Sequence, residues 1–198
     1  MLRVVCYGDS NTVGYDPRSL WGNSYPNDIP WPRQLARKGY DTVNEGLNGR
    51  CIPDDLVSYR RTADMLSEDL PADVVTIMLG TNDLLRGIQS GFTASDAAKR
   101  MELFLTSAPM RNLAKTTSLL LVAPPQMTRG ALTDLPGLLK ESKQLGQAYA
   151  RLAKRLSIDF VDASQWDLPM AYDGTHLLPE GHAQLAEGIA TFLEKTWQ

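Results

Sequence analysis

Cysteine, histidine and long apolar runs are scarce in this sequence, and each scarcity excludes a class of protein. The 198 residues include two cysteines and two histidines. Two cysteines cannot build a disulfide scaffold in a chain of this length, and no CxxC pair occurs, so Cys6 and Cys51 are expected to be free thiols. No stretch reaches the ~18 apolar residues of a membrane span, and the apolar N-terminal run is shorter than the ~7–15-residue core of a signal peptide. We therefore expect a soluble, cytoplasmic protein with no membrane partner.

A strong charge of either sign is also missing. The formal net charge is -3, and the charged residues form no block of one sign. Without a basic patch, a nucleic-acid partner is not expected. The composition, 43% hydrophobic and 22% charged, is that of a globular protein able to bury a core. We expect residues 1–198 to form a single domain.

Short β-branched runs alternate with longer stretches of helical period, which predicts βαβ units and a parallel sheet covered by helices on both faces. The predicted strands are Leu2–Tyr7, Asp41–Asn44, Val74–Leu79, Ser118–Val122 and Asp159–Val161. The predicted helices are Trp31–Lys38, Asp54–Glu68, Ala94–Ala108, Gly137–Leu156 and Pro179–Trp197. Two segments, Asp16–Pro30 and Pro124–Pro136, lack a regular pattern, and long irregular loops of this kind often carry functional sites.

The first predicted strand ends in Gly8-Asp9-Ser10-Asn11, which places the Ser10 hydroxyl at the edge where open α/β sheets bind ligands. Turn and helix-cap composition explains the same residues without any function. The segment is not a dinucleotide or P-loop motif. It also differs from the Gly-x-Ser-x-Gly motif of α/β-hydrolases, because Thr12 replaces the second glycine.

Two further polar turns follow predicted strands and should open on the same edge. Asn82, in Gly80-Thr81-Asn82-Asp83, could donate its amide hydrogens to a developing oxyanion, although an Asx turn is an alternative explanation. Gly49 and Gly46, in Asn44-Glu45-Gly46-Leu47-Asn48-Gly49, could each bring a backbone N–H close to a ligand. Simple turn formation accounts for these glycines equally well.

Both histidines lie near the C-terminal end, in Asp173-Gly174-Thr175-His176 and at His182. A neutral imidazole can take the proton of a serine when an acceptor orients its other nitrogen, and Asp173 is well spaced to orient His176. His182 falls inside the last predicted helix, where a structural or solvent-facing role is expected. A metal site from Asp173 and both histidines can be drawn, but no metal-binding motif supports it. Neither a metal nor a cofactor is predicted.

Taken together, these four blocks resemble the SGNH hydrolase superfamily, also called GDSL-type lipases and esterases. The resemblance implies a flavodoxin-like three-layer α/β/α sandwich with a five-stranded parallel sheet. It implies Ser10 as nucleophile, His176 as base and Asp173 as the residue that orients it. The oxyanion hole would comprise the backbone N–H groups of Ser10 and Gly49 and the side chain of Asn82. Asp83 would be a structural turn residue.

The finer resemblance is to small bacterial arylesterases and acyltransferases, and it implies hydrolysis of short-acyl or aryl esters through an acyl-enzyme on Ser10, with acyl transfer to an alcohol as a second outcome. A carbohydrate acetylesterase or a thioesterase/lysophospholipase would share every catalytic residue. A non-catalytic flavodoxin-like binding module is the alternative of another class.

The substrate itself is expected to contact residues near the predicted site. Asn11, beside the nucleophile, replaces the leucine of the common Gly-Asp-Ser-Leu pattern, and Asn48 precedes Gly49 where a small residue is frequent. The candidates for substrate contact are Asn11, Trp21 and Trp31, and the other large side chains available to line a pocket are Tyr25, Met127 and Trp166. Ordinary packing is the alternative for each aromatic residue. The aromatic-rich loop at 16–32 could also form a homo-oligomer contact.

Overall fold

The computed structural model describes Met1–Trp197. The strands are β1 (Arg3–Gly8), β2 (Asp41–Gly46), β3 (Val74–Met78), β4 (Ser118–Ala123) and β5 (Asp159–Asp162). The helices of this part of the chain are α1 (Ser10–Val13), α2 (Trp31–Arg37), α3 (Leu56–Glu68), α4 (Thr81–Gly87), α5 (Ala94–Leu105), α6 (Ala108–Leu113), α7 (Leu138–Leu156) and α8 (Pro179–Thr196). All five strands run parallel in the order β2-β1-β3-β4-β5. The predicted α/β/α sandwich is confirmed.

Two apolar clusters cover the two faces of the sheet because successive strand residues point to opposite sides. Val5 and Tyr7 pack with α3, α5, α6 and α7, whereas Val4 and Cys6 pack with α2 and α8. Strands β3 and β4 are buried on both faces, which explains their continuous apolar sequence. None of the helices within Met1–Trp197 has both the length and the apolarity needed to cross a bilayer.

Three local features differ from the sequence prediction. Strand β2 extends to Gly46, and the short helices α1 and α4 replace expected turns after β1 and β3. The predicted helix Ala94–Ala108 is wrong at its end, since α5 stops at Leu105 and α6 starts at Ala108. Pro109 causes this break, because its nitrogen has no hydrogen to bond Leu105 and its ring would clash with that carbonyl.

Candidate active site

The carboxyl ends of the parallel strands meet at one edge of the sheet, and a cleft of about 330 Å³ opens there. The cleft receives Ser10 from the end of β1, Gly49 from the turn after β2, Asn82 from α4 and His176 from the segment before α8. Its full lining consists of Ser10, Tyr15, Pro17, Asn48, Gly49, Asn82, Ala131, Leu132, Tyr172, Asp173 and His176. The expectation that these separate turns would share one edge is therefore met.

A tight turn at the end of β1 places Ser10 in this cleft. Gly8 is required there, since a Cβ at this position would lie 2.1 Å from the Thr12 hydroxyl. Asp9 then caps α1 by accepting a hydrogen bond from the Asn11 N–H at 3.0 Å. Ser10 becomes the first residue of α1, where a backbone N–H has no partner within the helix. Both the Ser10 hydroxyl and the Ser10 N–H therefore lie at the N-terminus of this short helix.

The side chains of Ser10, His176 and Asp173 form a continuous hydrogen-bonded series. Ser10 Oγ lies 2.9 Å from His176 Nε2, and His176 Nδ1 lies 2.6 Å from Asp173 Oδ2. Burial acts to raise the pKa of Asp173, but hydrogen bonds from the His176 ring and from backbone N–H groups outweigh it and lower that pKa. An ionised Asp173 assigns the proton of the neutral imidazole to Nδ1, so Nε2 can accept from the serine hydroxyl.

The segment that carries Asp173 and His176 is held by backbone contacts to the loop after β4. Gly174 has a φ of +79°, and a Cβ there would lie 2.3 Å from the Thr128 carbonyl oxygen. Thr128 N donates to Gly174 O at 2.9 Å, and Leu132 N donates to Asp173 O at 3.0 Å. Two irregular segments therefore fix each other, which explains how an ordered site forms without regular structure.

Asn11 joins the same assembly from the opposite side. Its Nδ2 donates to Thr175 O at 3.0 Å, and its Oδ1 accepts from Leu177 N at 2.9 Å. The side chain is buried and both of its polar atoms are occupied. The prediction that Asn11 binds substrate is therefore wrong: this carboxamide ties helix α1 to the segment that carries His176.

Asn82 and Gly49 lie in the cleft, whereas Gly46 does not. Asn82 Nδ2 lies 3.1 Å from Arg50 O and 3.5 Å from Asp9 Oδ2, which orients the amide group. Gly49 has a φ of +71°, a conformation that favours glycine. Gly46 belongs to β2, where its N–H donates to Asn44 Oδ1 at 3.0 Å. Of the two glycines considered, only Gly49 has its backbone at the cleft.

Asp9 is a buried carboxyl group beside Asn82. Burial raises its pKa from 3.8 to about 6, although the Asn11 N–H and the nearby His176 and Arg50 side chains act in the opposite direction. Arg50 lies over the Tyr7 ring, with its guanidinium carbon 4.2 Å from the ring centroid, and donates to Gly8 O at 2.9 Å. Asp9 thus contacts both the helix of Ser10 and the amide of Asn82.

One wall of the cleft is apolar and lies next to His176. The Tyr15 ring packs on the His176 ring with centroids 4.7 Å apart. Tyr172 donates its hydroxyl hydrogen to Pro17 O at 2.9 Å, and Leu132 completes the wall. None of these four residues was among the candidates for substrate contact. Only their positions in the sequence could have indicated them, because Tyr172 adjoins Asp173 and the others lie in or beside the two irregular segments.

The two tryptophans expected to contact substrate do not line the cleft. Trp31 is fully buried in the core cluster between the sheet and α8, so that prediction is wrong. Trp21 is 88% exposed and projects from the loop after α1, outside the cleft. The other large side chains considered are also absent from the lining, namely Tyr25, Met127 and Trp166. Packing decides the positions of Trp31 and Met127, because the apolar clusters that enclose them lie away from the strand ends.

His182 lies within α8, as predicted, and is completely buried. Its ring contacts Tyr25 edge-on, with centroids 5.7 Å apart. Burial lowers its pKa from 6.5 to about 4, so the ring is neutral near pH 7. Within Met1–Trp197 no group of three or more His, Cys, Asp or Glu side chains is arranged to hold a metal ion.

Comparisons with known proteins agree with this geometry. Residues 6–184 match the GDSL-like lipase/acylhydrolase family, while no curated protein matches the sequence. A carbohydrate acetylesterase from Sinorhizobium meliloti is 26% identical, with 100% of both chains covered and a TM-score of 0.83. The native aryl esterase of M. smegmatis is 26% identical over 98% of this chain and 99% of that chain, with a TM-score of 0.81. The chain therefore belongs to the GDSL-like lipase/acylhydrolase family and is a serine ester hydrolase rather than a non-catalytic binding module.

Proposed function

We propose that the protein hydrolyses small carboxylic esters through an acyl-enzyme on Ser10. The observation that carries this proposal is the hydrogen-bonded series from Ser10 through His176 to Asp173. His176 removes the hydroxyl proton as Ser10 Oγ attacks the ester carbonyl, and Asp173 stabilises the imidazolium that forms. The imidazolium then protonates the departing alcohol. Water attacks the acyl-enzyme with His176 again as base, which releases the acid and restores Ser10.

The tetrahedral intermediate carries a negative oxygen that needs preorganised donors. We assign this role to the backbone N–H groups of Ser10 and Gly49 and to the Nδ2 hydrogen of Asn82 that is not donated to Arg50 O. All three residues line the same cleft as the hydroxyl and the imidazole. Such donors act strongly in a site that excludes water, because a low local dielectric strengthens each interaction.

The shape of the cleft favours a small ester with an apolar or aromatic leaving group. The departing oxygen must lie near His176 Nε2, since that nitrogen protonates it. Tyr15, Pro17, Leu132 and Tyr172 form the wall on this side. A volume of about 330 Å³ is at the small end of the ~300–1,000 Å³ found for ligand pockets, which favours short acyl groups.

The nucleophile is tested by labelling with a fluorophosphonate probe. Ser10→Ala should abolish labelling and ester hydrolysis, because no other hydroxyl is hydrogen-bonded to His176 among the described residues. Ser90→Ala is the matched control, since Ser90 bonds only the local Gly87 carbonyl, and it should label normally. Labelling of equal intensity in the Ser10→Ala variant would disprove the assignment.

The substrate is tested with p-nitrophenyl esters of increasing acyl length, each with and without a competing alcohol. We expect the highest kcat/KM for the shortest acyl chains, and the alcohol product reports any acyl transfer. The similarity to a carbohydrate acetylesterase favours acetylated sugars as a second candidate substrate class. Phenyl acetate and a fully acetylated monosaccharide should therefore be compared directly. A clear preference for the sugar would reject the aryl leaving group that the apolar wall favours.

A further inference from the structure

Three side chains of α4 hold the main chain of the turn that carries Gly49. Asn82 Nδ2 lies 3.1 Å from Arg50 O, and Asp83 Oδ2 accepts from Ile52 N at 3.0 Å. Arg86, one helical turn further, donates to Gly49 O at 2.9 Å. The segment from Gly49 to Ile52 is thus attached to the same helix that supplies the Asn82 amide. The two proposed oxyanion donors, the Gly49 N–H and the Asn82 amide, are therefore both held by α4.

Asp83 is anchored far more firmly than a turn residue needs to be. Its side chain has 0% exposure, and its second oxygen accepts from Arg100 of α5 at 2.9 Å. A buried carboxylate with an ion-pair partner and a backbone donor has little freedom to shift, because any movement leaves a charge unpaired. Through its bond to Ile52 N, Asp83 therefore holds Ile52 at a fixed position relative to α4 and α5.

Arg86 lies on the protein surface and donates directly to the Gly49 carbonyl oxygen. A Cβ at residue 49 would lie 3.0 Å from the Arg86 guanidinium nitrogen, so the two groups are in close contact. The bond to Gly49 O fixes one side of this residue. The Gly49 carbonyl and N–H are joined through the φ and ψ of one residue, so restraining the carbonyl also narrows the directions open to the N–H. That N–H is the proposed oxyanion donor.

We propose that Arg86 and Asp83 are positioning residues that set the placement of the Gly49 N–H relative to the Asn82 amide. The proposal rests on the proposed function of those two donors. Oxyanion donors must lie within about 2.7–3.1 Å of the developing charge, and a misplacement of about 1 Å can cost roughly 100-fold in rate. A flexible glycine turn could not keep this precision without attachment. Neither side chain needs to touch substrate for this role.

The test uses Arg86→Met, which keeps the length of the side chain and removes its donors. Because Arg86 is exposed, the variant should fold with an unchanged Tm. We expect kcat per fluorophosphonate-titrated site to fall roughly 10-fold to 100-fold with KM within about threefold. Arg86→Lys should recover part of the loss, since an ammonium can still donate to the carbonyl. Arg111→Met, an exposed arginine of α6, is the matched control with normal kcat.

Binding of an aryl trifluoromethyl ketone separates positioning from general damage. This inhibitor forms a tetrahedral adduct with the serine, so its oxyanion should occupy the same donors. Its affinity should fall by the same factor as kcat in Arg86→Met, as expected for an interaction made in the transition state. Asp83→Asn should change both quantities in the same direction.

Two results would overturn the proposal. One is an Arg86→Met variant whose kcat and inhibitor affinity stay within twofold of the parent while Asn82→Ala loses activity, which would leave the proposed function intact. The other is a loss of total activity that a loss of titratable sites or of Tm accounts for, with kcat per titrated site unchanged, which would make the role purely structural. Failure of the proposed function itself would be distinct, because it would appear as normal activity in Ser10→Ala.

Discussion

At the scale of single residues, Asn82 has the sharpest assignment to test. Its amide nitrogen contacts Arg50 O and, at longer range, Asp9 Oδ2, so the group has a defined orientation toward the cleft. A donor held in advance loses no free energy to reorientation when the oxyanion forms. Among the described residues, no hydrogen bond uses Asn82 Oδ1, the atom that an Asx turn would require.

Asn82→Ala should reduce kcat by roughly 100-fold to 1,000-fold, the typical cost of losing one oxyanion donor. KM should change little, since the ground-state carbonyl needs this donor less than the transition state does. Steady-state kinetics with p-nitrophenyl acetate measure both constants. Asn112→Ala, on the surface of α6, serves as the control. Turnover within threefold of the parent would remove Asn82 from the mechanism.

The role of Asn11 could not be predicted from its neighbours in the sequence. The sequence places it beside Ser10, which suggested contact with substrate. Its two hydrogen-bond partners come from Thr175 and Leu177, more than 160 positions away along the chain. No local pattern could reveal these partners, because they depend on how the first and last segments of the chain meet.

At the scale of secondary structure elements, helix length and the residue types at the start of each helix decided what could be predicted. The long helices α3, α7 and α8 were predicted to within about two residues of their observed bounds, since each spans several turns of amphipathic pattern. Helix α1 has four residues, too few for any period to appear. Helix α4 begins with Thr81-Asn82-Asp83, residue types common in turns, and so its sequence predicts a turn, although α2, also of seven residues, was predicted. Helices α1 and α4 nevertheless position Ser10 and Asn82.

Helix α7 ends in a backbone conformation that its sequence disfavours. Ser157 has a φ of +53°, in the left-handed region that glycine adopts without steric cost. Ser157→Gly should therefore raise the free energy of unfolding by up to about 1 kcal/mol, measured by urea denaturation. Ser107→Gly is the control, because Ser107 has a φ of -61° and should gain nothing. An equal gain in both variants would argue against relief of strain at residue 157.

At the scale of the whole molecule, two buried titratable groups act on stability in opposite directions. His182 is neutral in the fold down to about pH 4, whereas in the unfolded chain it binds a proton below about pH 6.5. Its burial therefore costs stability as the pH falls through that range. Asp9 has a folded pKa of about 6, above the unfolded value of 3.8, so its burial costs most stability above about pH 6 and progressively less as the pH falls toward 3.8.

His182→Leu should separate the two effects. The free energy of unfolding of the variant, relative to the parent protein, should rise between pH 7 and pH 4.5 as the parent loses the contribution of its histidine. The full pKa difference corresponds to roughly 3 kcal/mol at most. Urea unfolding at both pH values measures it. Asp9→Asn is the comparison variant, and its advantage over the parent should shrink over the same interval. A pH-independent difference for His182→Leu would contradict the assigned burial effect.

The sequence alone determined the fold class and the order of the blocks that form the site. Alternation of β-branched runs with helical periods requires a parallel sheet, and parallel strands bring their carboxyl ends to one edge whatever the details of packing. For this reason Ser10, Gly49, Asn82 and His176 could be expected to meet. Their identities as polar or glycine residues in turns were visible without any coordinates.

Which side chains face the cleft depends on how the chain folds in three dimensions. Tyr15 and Trp31 are aromatic residues at the two ends of the same irregular region, yet Trp31 is enclosed beneath α8 and Tyr15 packs on His176. Burial and hydrogen bonding depend on partners that lie far apart in the chain, so composition and spacing do not contain them. The same holds for α4, whose Asp83 and Arg86 hold the Gly49 turn only because the sheet places β2 and β3 on either side of β1.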